Sequence, residues 1–282
     1  YYNNNDYHNV NNNGQTMTSD NTPLACIILA AGRGSRMKSS LPKVMHNIAG
    51  RPMIHILLDT VKTLSPDQTV LVTAPDMDDL QKVAQEYDAG CAVQENPQGT
   101  GDAVKAGLEQ LADFEGNVLI LLGDMPLLSA QTLSNLVSTR HNGLSVLGVK
   151  LDPPPPFGRL VVNDGGTLDH IVEDKDANEA ERLITLCNTG AFCGDAAQLR
   201  DWVSQIDNKN AQSEYYFTDV PAIAKQHGVC TYIYTTSNTI ETMGVNTRAD
   251  LSFLESHFQK ILRQRAMENG ATLLDPDSVY FT

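Results

Sequence analysis

The sequence predicts an α/β fold with a mainly parallel central sheet, helices on both of its faces and a small antiparallel excursion. Two observations carry that expectation. From Leu24 onward, short runs rich in Val, Ile and Leu alternate with segments whose apolar residues recur at helical spacing, the pattern of right-handed βαβ units. After Lys150 the alternation gives way to four prolines and a hairpin signal before helical spacing returns. With 282 residues and 41% hydrophobic content, the chain can bury one large core or two smaller ones.

Taken in order, residues 1–16 are rich in Asn and Tyr with almost no aliphatic content, and are expected to be a disordered leader or tag. Met17 is a plausible native start. Leu24–Ala30, Thr69–Ala74 and Val118–Leu122 are continuous apolar runs, as strands covered on both faces should be. Met53–Leu64 is expected to be a helix, since Met53, Ile54, Leu57, Leu58, Val61 and Leu64 share one face and Pro52 suits a helix start. Leu80–Tyr87 and Asp102–Leu111 repeat that pattern. Pro153 to Pro156 form a stiff, extended segment, and Leu160–Asn163 and Leu168–Val172 flank the turn signal Asp164-Gly165-Gly166. Helical spacing returns at Asp195–Gln205, Glu214–His227 and Ala249–Glu268, the last ending before Asn269-Gly270 as a glycine C-cap would.

Charge and cysteine usage narrow the function. The formal net charge of -14 argues against a nucleic-acid or anionic-membrane partner. No apolar segment approaches the roughly 20 residues that span a bilayer, and the N-terminus lacks a secretory pattern, so a cytoplasmic location is expected. Five cysteines without a Cys-x-x-Cys pair point to reduced, mostly buried thiols. Against the acidic background, the stretch from Asn21 to Leu58 holds five cations (Arg33, Arg36, Lys38, Lys43, Arg51) and no Asp or Glu.

Those cations crowd the loop Leu29-Ala30-Ala31-Gly32-Arg33-Gly34-Ser35-Arg36-Met37, with Leu41-Pro42-Lys43 following. Glycines let backbone N–H groups approach phosphate oxygens while Arg and Lys neutralise them. The loop is neither a P-loop nor a Rossmann fingerprint, because Met37 stands where each needs a glycine. A basic strand-to-helix turn accounts for the glycines equally well. Asp124, in Leu122-Gly123-Asp124-Met125-Pro126, follows an apolar strand, at the end of the sheet where ligands gather; it could hold Mg2+ or cap a turn. Gln94 through Gly101 offer amides suited to the imide edge of a pyrimidine, and equally a turn leading into a capped helix.

The order of these pieces resembles the sugar nucleotidyltransferase family. Leu29-Ala30-Ala31-Gly32-x-Gly34-x-Arg36-Met37, Leu41-Pro42-Lys43, Gln98-Gly99-Thr100-Gly101 and Gly123-Asp124-x-Pro126-Leu127 carry the resemblance. Gly158-Arg159-Leu160, Ile171 to Ala177, Cys187-Asn188-Thr189-Gly190, Glu214 to Asp219 and Gly244-Val245-Asn246-x-Arg248 narrow it. Together they look like the uridyltransferase domain of bifunctional bacterial UDP-N-acetylglucosamine pyrophosphorylase / glucosamine-1-phosphate N-acetyltransferases. The resemblance implies a Rossmann-like, GT-A-like fold. It implies that Leu29, Ala31, Gly32, Gly34 and Arg36 hold nucleotide phosphates, that Lys43 bridges to the reacting groups, and that Gln94, Gly99 and Thr100 read uracil. Asp124 and Asn246 would ligate Mg2+, and Gly158, Glu173, Asn188 and Tyr216 would line the amino-sugar pocket. UTP and N-acetylglucosamine 1-phosphate would be the substrates, with Arg36, Lys43 and Asp124 the catalytic set.

The same resemblance implies a nucleotidyltransferase domain over residues 17–248, a linker helix over 249–268 and the start of a left-handed β-helix over 269–282. No acetyltransferase activity is expected from this chain, trimerisation would require the β-helix, and the last residues are expected to pack poorly without it. Leu122 stands where relatives often carry Tyr, and Pro153 to Pro156 alter the approach to the sugar pocket. Transfer to another sugar phosphate, use of dTTP, or a non-catalytic nucleotide-sugar sensor are the alternatives. His46 could sit near the site, and Trp202 is expected to cover the core.

Overall fold

The computed structural model describes residues 22–282, so the expected leader and Met17 lie outside the described residues. The chain runs β1 (Leu24–Leu29), β2 (Asn47–Ile48), β3 (Arg51–Pro52), α1 (Met53–Thr63), β4 (Gln68–Thr73), α2 (Asp78–Glu86), β5 (Gly90–Val93), α3 (Thr100–Glu109), β6 (Asn117–Leu122), α4 (Ala130–Thr139) and β7 (Leu144–Lys150). The hairpin of β8 (Arg159–Val162) and β9 (Leu168–Val172) follows, then α5 (Glu179–Arg182), β10 (Leu186–Asp195), α6 (Ala196–Val203), α7 (Val220–Gln226), β11 (Thr231–Thr236) and α8 (Arg248–Glu268).

Period-two alternation along β1 builds two core layers. Ala25 and Ile27 face Val104 and Leu108 of α3, Leu199 and Trp202 of α6 and Ala224 of α7. Cys26 and Ile28 face Ile54 and Leu58 of α1, Leu80 of α2 and Leu133 of α4. Helices therefore cover both faces, as expected. Each fully buried Leu or Ile contributes about 1.5–3 kcal/mol relative to exposure. A third apolar cluster, Met37, Ile48, Met53, Ile56, Val245 and Leu254, fastens the glycine loop to α8.

The sheet is mixed rather than mainly parallel. Its order is β5-β4-β1-β6-β10-β7-β11-β9-β8, and β8 also pairs with β10, so the far half curls back on itself. The pairs β5–β4, β4–β1, β1–β6 and β11–β7 are parallel, whereas β10 is antiparallel to β6, β7 and β8. The reason is the connection into β10. It follows a hairpin and a four-residue helix rather than a crossover helix, and so enters between β6 and β7 in the opposite sense. The 214–227 segment also differs from expectation: only Val220–Gln226 is α-helical, because Pro221 is tolerated in a first turn but not further in.

Residues beyond α8 fold back along it. Phe281 exchanges two hydrogen bonds with Gln259, Arg263 Nε donates to the Val279 carbonyl at 2.8 Å, and the Tyr280 hydroxyl donates to Glu255 Oε1 at 2.6 Å. This polar seam holds the segment; no residue of 271–282 is buried, and Leu274 and Tyr280 are exposed, in line with the poor packing expected there. All five cysteines are free; Cys26, Cys187 and Cys193 are buried, but Cys230 is exposed. Trp202 is buried in the core, and among the described residues no helix is long and apolar enough to cross a membrane.

Candidate active site

Parallel pairing of β1 with β6 brings Leu29 level with Leu122, so the glycine loop and the segment carrying Asp124 leave the sheet side by side. The Gly123 N–H donates to the Leu29 carbonyl at 2.9 Å. Two cavities open over these strand ends. One of about 370 Å³ is lined by Leu29, Ala31, Gly32, Lys43, Gln94, Gly99, Thr100 and Asp124. The other, of about 240 Å³, is lined by Gly158, Glu173, Asn188, Gly190, Asn246 and again Asp124. Leu29, Thr100, Leu122 and Asp124 belong to both, so the cavities meet over the end of β6.

At that junction lies a polar cluster assembled from distant sequence. Lys43 Nζ is bonded to Asp124 Oδ2 and donates to Asn246 Oδ1 at 3.1 Å, and Arg36 donates to the same Asn246 oxygen at 2.9 Å. Gly34 makes the cluster possible: its φ is +64°, and a Cβ there would stand 2.6 Å from that of Lys43. Asp124 Oδ1 is buried without a hydrogen-bond partner, beside the space left by Gly244. Such an orphaned carboxylate oxygen costs free energy unless a ligand satisfies it. With Asn246 Oδ1 it offers the oxygen ligands a hard cation takes, if Lys43 and Arg36 give way there; among the described residues no group of three or more His, Cys, Asp or Glu suits a metal. His46 is buried nearby, its pKa lowered by burial and then by the Arg248 charge. Arg33 instead pairs with Asp76 at the surface.

The amide of Gln94 is buried, and its Nε2 donates to Asp102 Oδ2 at 2.7 Å and to the Gly99 carbonyl at 3.1 Å. Gly99 has φ +119°, and a Cβ on it would collide with the Tyr215 backbone. That backbone bridges the loop: Tyr215 N–H donates to the Gln98 carbonyl at 2.7 Å and Gly101 N–H to the Tyr215 carbonyl at 2.8 Å. Thr100 Oγ1 accepts from the Phe217 N–H at 3.0 Å. The 214–219 segment therefore clamps the wall of the first cavity.

In the second cavity Gly158 sits between Glu173 and Asn188, where a Cβ would approach them to 3.4 and 3.5 Å. Glu173 accepts from the Thr218 hydroxyl at 2.9 Å; burial raises its pKa despite that bond. Asn188 lies at a bulge of β10, where its Oδ1 accepts from the Gly190 N–H at 3.0 Å. Tyr216 is the outlier. Its hydroxyl is buried without a partner, it lines neither cavity, and burial together with Asp176 and neighbouring carboxylates pushes its pKa up to about 12.

The cavities contain residues that motif reading assigned no role. Thr218, Gly190 and Gly244 lie inside recognised motifs, so their positions carried a signal. Thr242, Phe157 and Met125 also line the second cavity, and nothing in their spacing singles them out.

Comparison with known proteins bears on the same residues. The MobA-like NTP transferase domain matches residues 26–176, which hold the glycine loop, Lys43, Gln94, Asp124, Gly158 and Glu173. The bifunctional protein GlmU of Paramagnetospirillum magneticum is 44% identical over 264 residues, covering 92% of this chain and 58% of that protein. Those of Paracoccus denitrificans and Bordetella petrii are each 43% identical, covering 92% and 90% of this chain and 58% and 56% of the relative. The chain thus spans little more than half the length of the curated relatives it matches.

Proposed function

The chain belongs to the MobA-like NTP transferase family, and from that premise we propose that it forms UDP-N-acetylglucosamine and pyrophosphate from UTP and N-acetylglucosamine 1-phosphate, with Mg2+ as cofactor. The observation that carries this reading is the meeting of two cavities at Asp124, one behind the basic glycine loop and one whose mainly apolar wall presents Glu173, Asn188 and Thr218. Two substrates that must react need adjoining pockets with a charged seam between them.

In this reading, Gly32, Gly34 and Arg36 receive the triphosphate while Gln94, Gly99 and Thr100 face the base. Gly158, Glu173 and Asn188 hold the sugar. A phosphate oxygen of the sugar phosphate attacks the α-phosphorus of UTP, forming one P–O bond as the bond to the β-phosphate oxygen breaks and pyrophosphate leaves with the electron pair. No protein nucleophile is required. Both reactants are anions, so Arg36 and Lys43 serve by neutralising charge and aligning the groups in line. Held by Asp124 and Asn246, Mg2+ when bound supplies further charge neutralisation at the phosphates. Lys43 satisfies Asp124 in the free protein, so its move toward phosphate requires a replacement positive charge at that carboxylate.

We carry the finer fold and domain reading as proposals too: a GT-A-like, Rossmann-like domain over 17–248, a linker helix over 249–268 and the opening of a left-handed β-helix over 269–282, through which a trimer would form. The single helix Arg248–Glu268 supports the linker. A cytoplasmic location is proposed with it; the net charge of -14 disfavours a nucleic-acid partner, while the cations of the glycine loop suit small anionic substrates. A second reading, another sugar phosphate or dTTP, is favoured by one observation: the apolar Leu122 lines both cavities.

The test is Mg2+-dependent pyrophosphate release, with each substrate omitted in turn and EDTA as control. Release that requires both substrates and metal is expected. No release from folded protein over a full panel of nucleotides and sugar phosphates would refute catalysis.

A further inference from the structure

A buried carboxylate outside both cavities holds the segment that carries Asn246. Glu241 is only 3% exposed, yet both of its oxygens are engaged, by three donors from two pieces of the fold. Oε1 accepts from the Thr132 hydroxyl at 2.8 Å and the Thr236 hydroxyl at 2.5 Å, and Oε2 accepts from the Ser129 N–H at 3.2 Å. Ser129 caps α4 and Thr236 ends β11, so Glu241 ties the start of a helix to the end of a strand. Burying an ionised group is costly, and well-packed apolar residues often do as well for stability, so stability alone is a weak account of its presence.

The short strap that leaves Glu241 runs through Thr242 and Gly244, which line the second cavity, to Asn246. Its one backbone bond to the opposite wall is Val245 N–H to the Asp124 carbonyl at 2.9 Å. Beyond Asn246 the far end is pinned independently, because Asp250 Oδ2 accepts from the Asn246 and Thr247 N–H groups at the start of α8. The strap is therefore held at three points: the helix cap beyond Asn246, buried Val245 with its bond to Asp124, and Glu241 at the near end.

We propose that Glu241 is a positioning residue: by fixing the near end of the strap it sets the spacing of Asn246 from Asp124. It touches neither substrate nor metal and acts through Val245 and Asn246. The assignment of Asn246 as a ligand rests on the nucleotidyl-transfer reading; the anchoring itself does not.

Glu241→Gln keeps the shape but turns an amide N–H toward at least one of three donors. Two measurements on the full chain test the idea. Amide hydrogen exchange over 242–246, without any ligand, should accelerate about tenfold in Glu241→Gln. Binding of Mn2+ in the presence of UTP, followed by electron paramagnetic resonance, should weaken by about tenfold. Ser145→Ala is the control for simple loosening. It removes the buried bond from Ser145 Oγ to the Leu136 carbonyl, 2.7 Å, one turn of α4 beyond Thr132 and without a bond to Glu241 or to residues 242–246, and should leave both readouts unchanged. Should Glu241→Gln not fold, Thr236→Val removes one of the three bonds and should shift both readouts in the same direction by less. Unchanged strap exchange in a folded variant, or an equal change in Ser145→Ala, would overturn the proposal. Wild-type protein that binds no Mn2+ with UTP would count against the nucleotidyl-transfer reading instead, and the exchange measurement would still decide the anchor.

Discussion

Gly190→Ala should cost both stability and turnover, and the structure sets the size of the first. Gly190 lies in the bulge of β10 with φ +88°, and a Cβ there would stand 2.6 Å from Leu122 Cδ1 and 3.0 Å from its Cγ. The left-handed conformation costs an L-residue about 1–2 kcal/mol. Forcing a methyl group against a packed leucine adds about 1–3 kcal/mol, so a loss of roughly 2–5 kcal/mol is expected. Leu122 can yield only by moving over the junction of the two cavities, which it lines. Activity should therefore fall by about tenfold or more even in the fraction that stays folded. Gly228→Ala provides the comparison. It has φ +75° with nothing within 4 Å of the added methyl, and so should lose only the backbone term, about 1–2 kcal/mol, with activity intact. Urea unfolding with unchanged m values measures both losses, and pyrophosphate release gives the kinetics. If Gly190→Ala costs no more than Gly228→Ala, or keeps full activity, the seating of Leu122 against Gly190 is not what shapes the junction.

Lys43→Ala and Asp124→Ala should each lower turnover by about a hundredfold or more while far-ultraviolet circular dichroism stays native, since charge at the reacting phosphates is lost; unchanged turnover in either folded variant would remove that residue from the chemistry. Asp219 is pushed up to about 6, first by burial and then by Asp207, Glu173 and Asp176. A carboxyl whose folded pKa is raised binds its proton more tightly when folded, so its contribution is fully present below about pH 4 and is lost as pH rises through about 6. Asp219→Asn should accordingly flatten the decline in melting temperature between those limits, and an unaltered pH profile would refute the account. Glu173, also raised chiefly by burial, should act in the same direction, and Glu173→Gln should flatten the profile further above the ordinary carboxylate range.

How much of this was legible in the sequence depends on how local the cause is. The strands β1, β4 and β6 and helices α1, α2 and α3 follow from apolar periodicity within single segments, and the structure puts them within a residue or two of their expected ends. The sense of β10 does not follow in that way. Leu186–Asp195 mixes Asn, Thr and Gly with apolar residues, and its direction is set by the connection before it rather than by its own pattern. Likewise, helical spacing from Glu214 is overridden at its start because the Tyr215 backbone is bonded to Gln98 and Gly101, an interaction across more than a hundred residues.

Glycines show the same limit within the site. Gly32, Gly34 and Gly99 look alike in sequence, each a small residue in a loop near a strand end. In the fold they do three different things. Gly32 has open space where a Cβ would be, which leaves its backbone approachable by a ligand; Gly34 makes room for the Lys43 stem; and Gly99 makes room for the Tyr215 backbone. Only the first is the use that the phosphate-loop reading assumes for Gly32 and Gly34 alike, and Gly99, read as facing the base, serves by packing instead. The other two serve indirectly. Gly34 lets Lys43 reach Asp124 and Asn246, and Gly99 lets the 214–219 segment close the wall that Thr100 and Thr218 complete. A motif can thus mark the right loop while most of its glycines act on the protein rather than on the ligand. It follows that alanine at Gly32 should be the mildest of the three for folding, so that any loss of nucleotide binding it causes reports on the ligand directly.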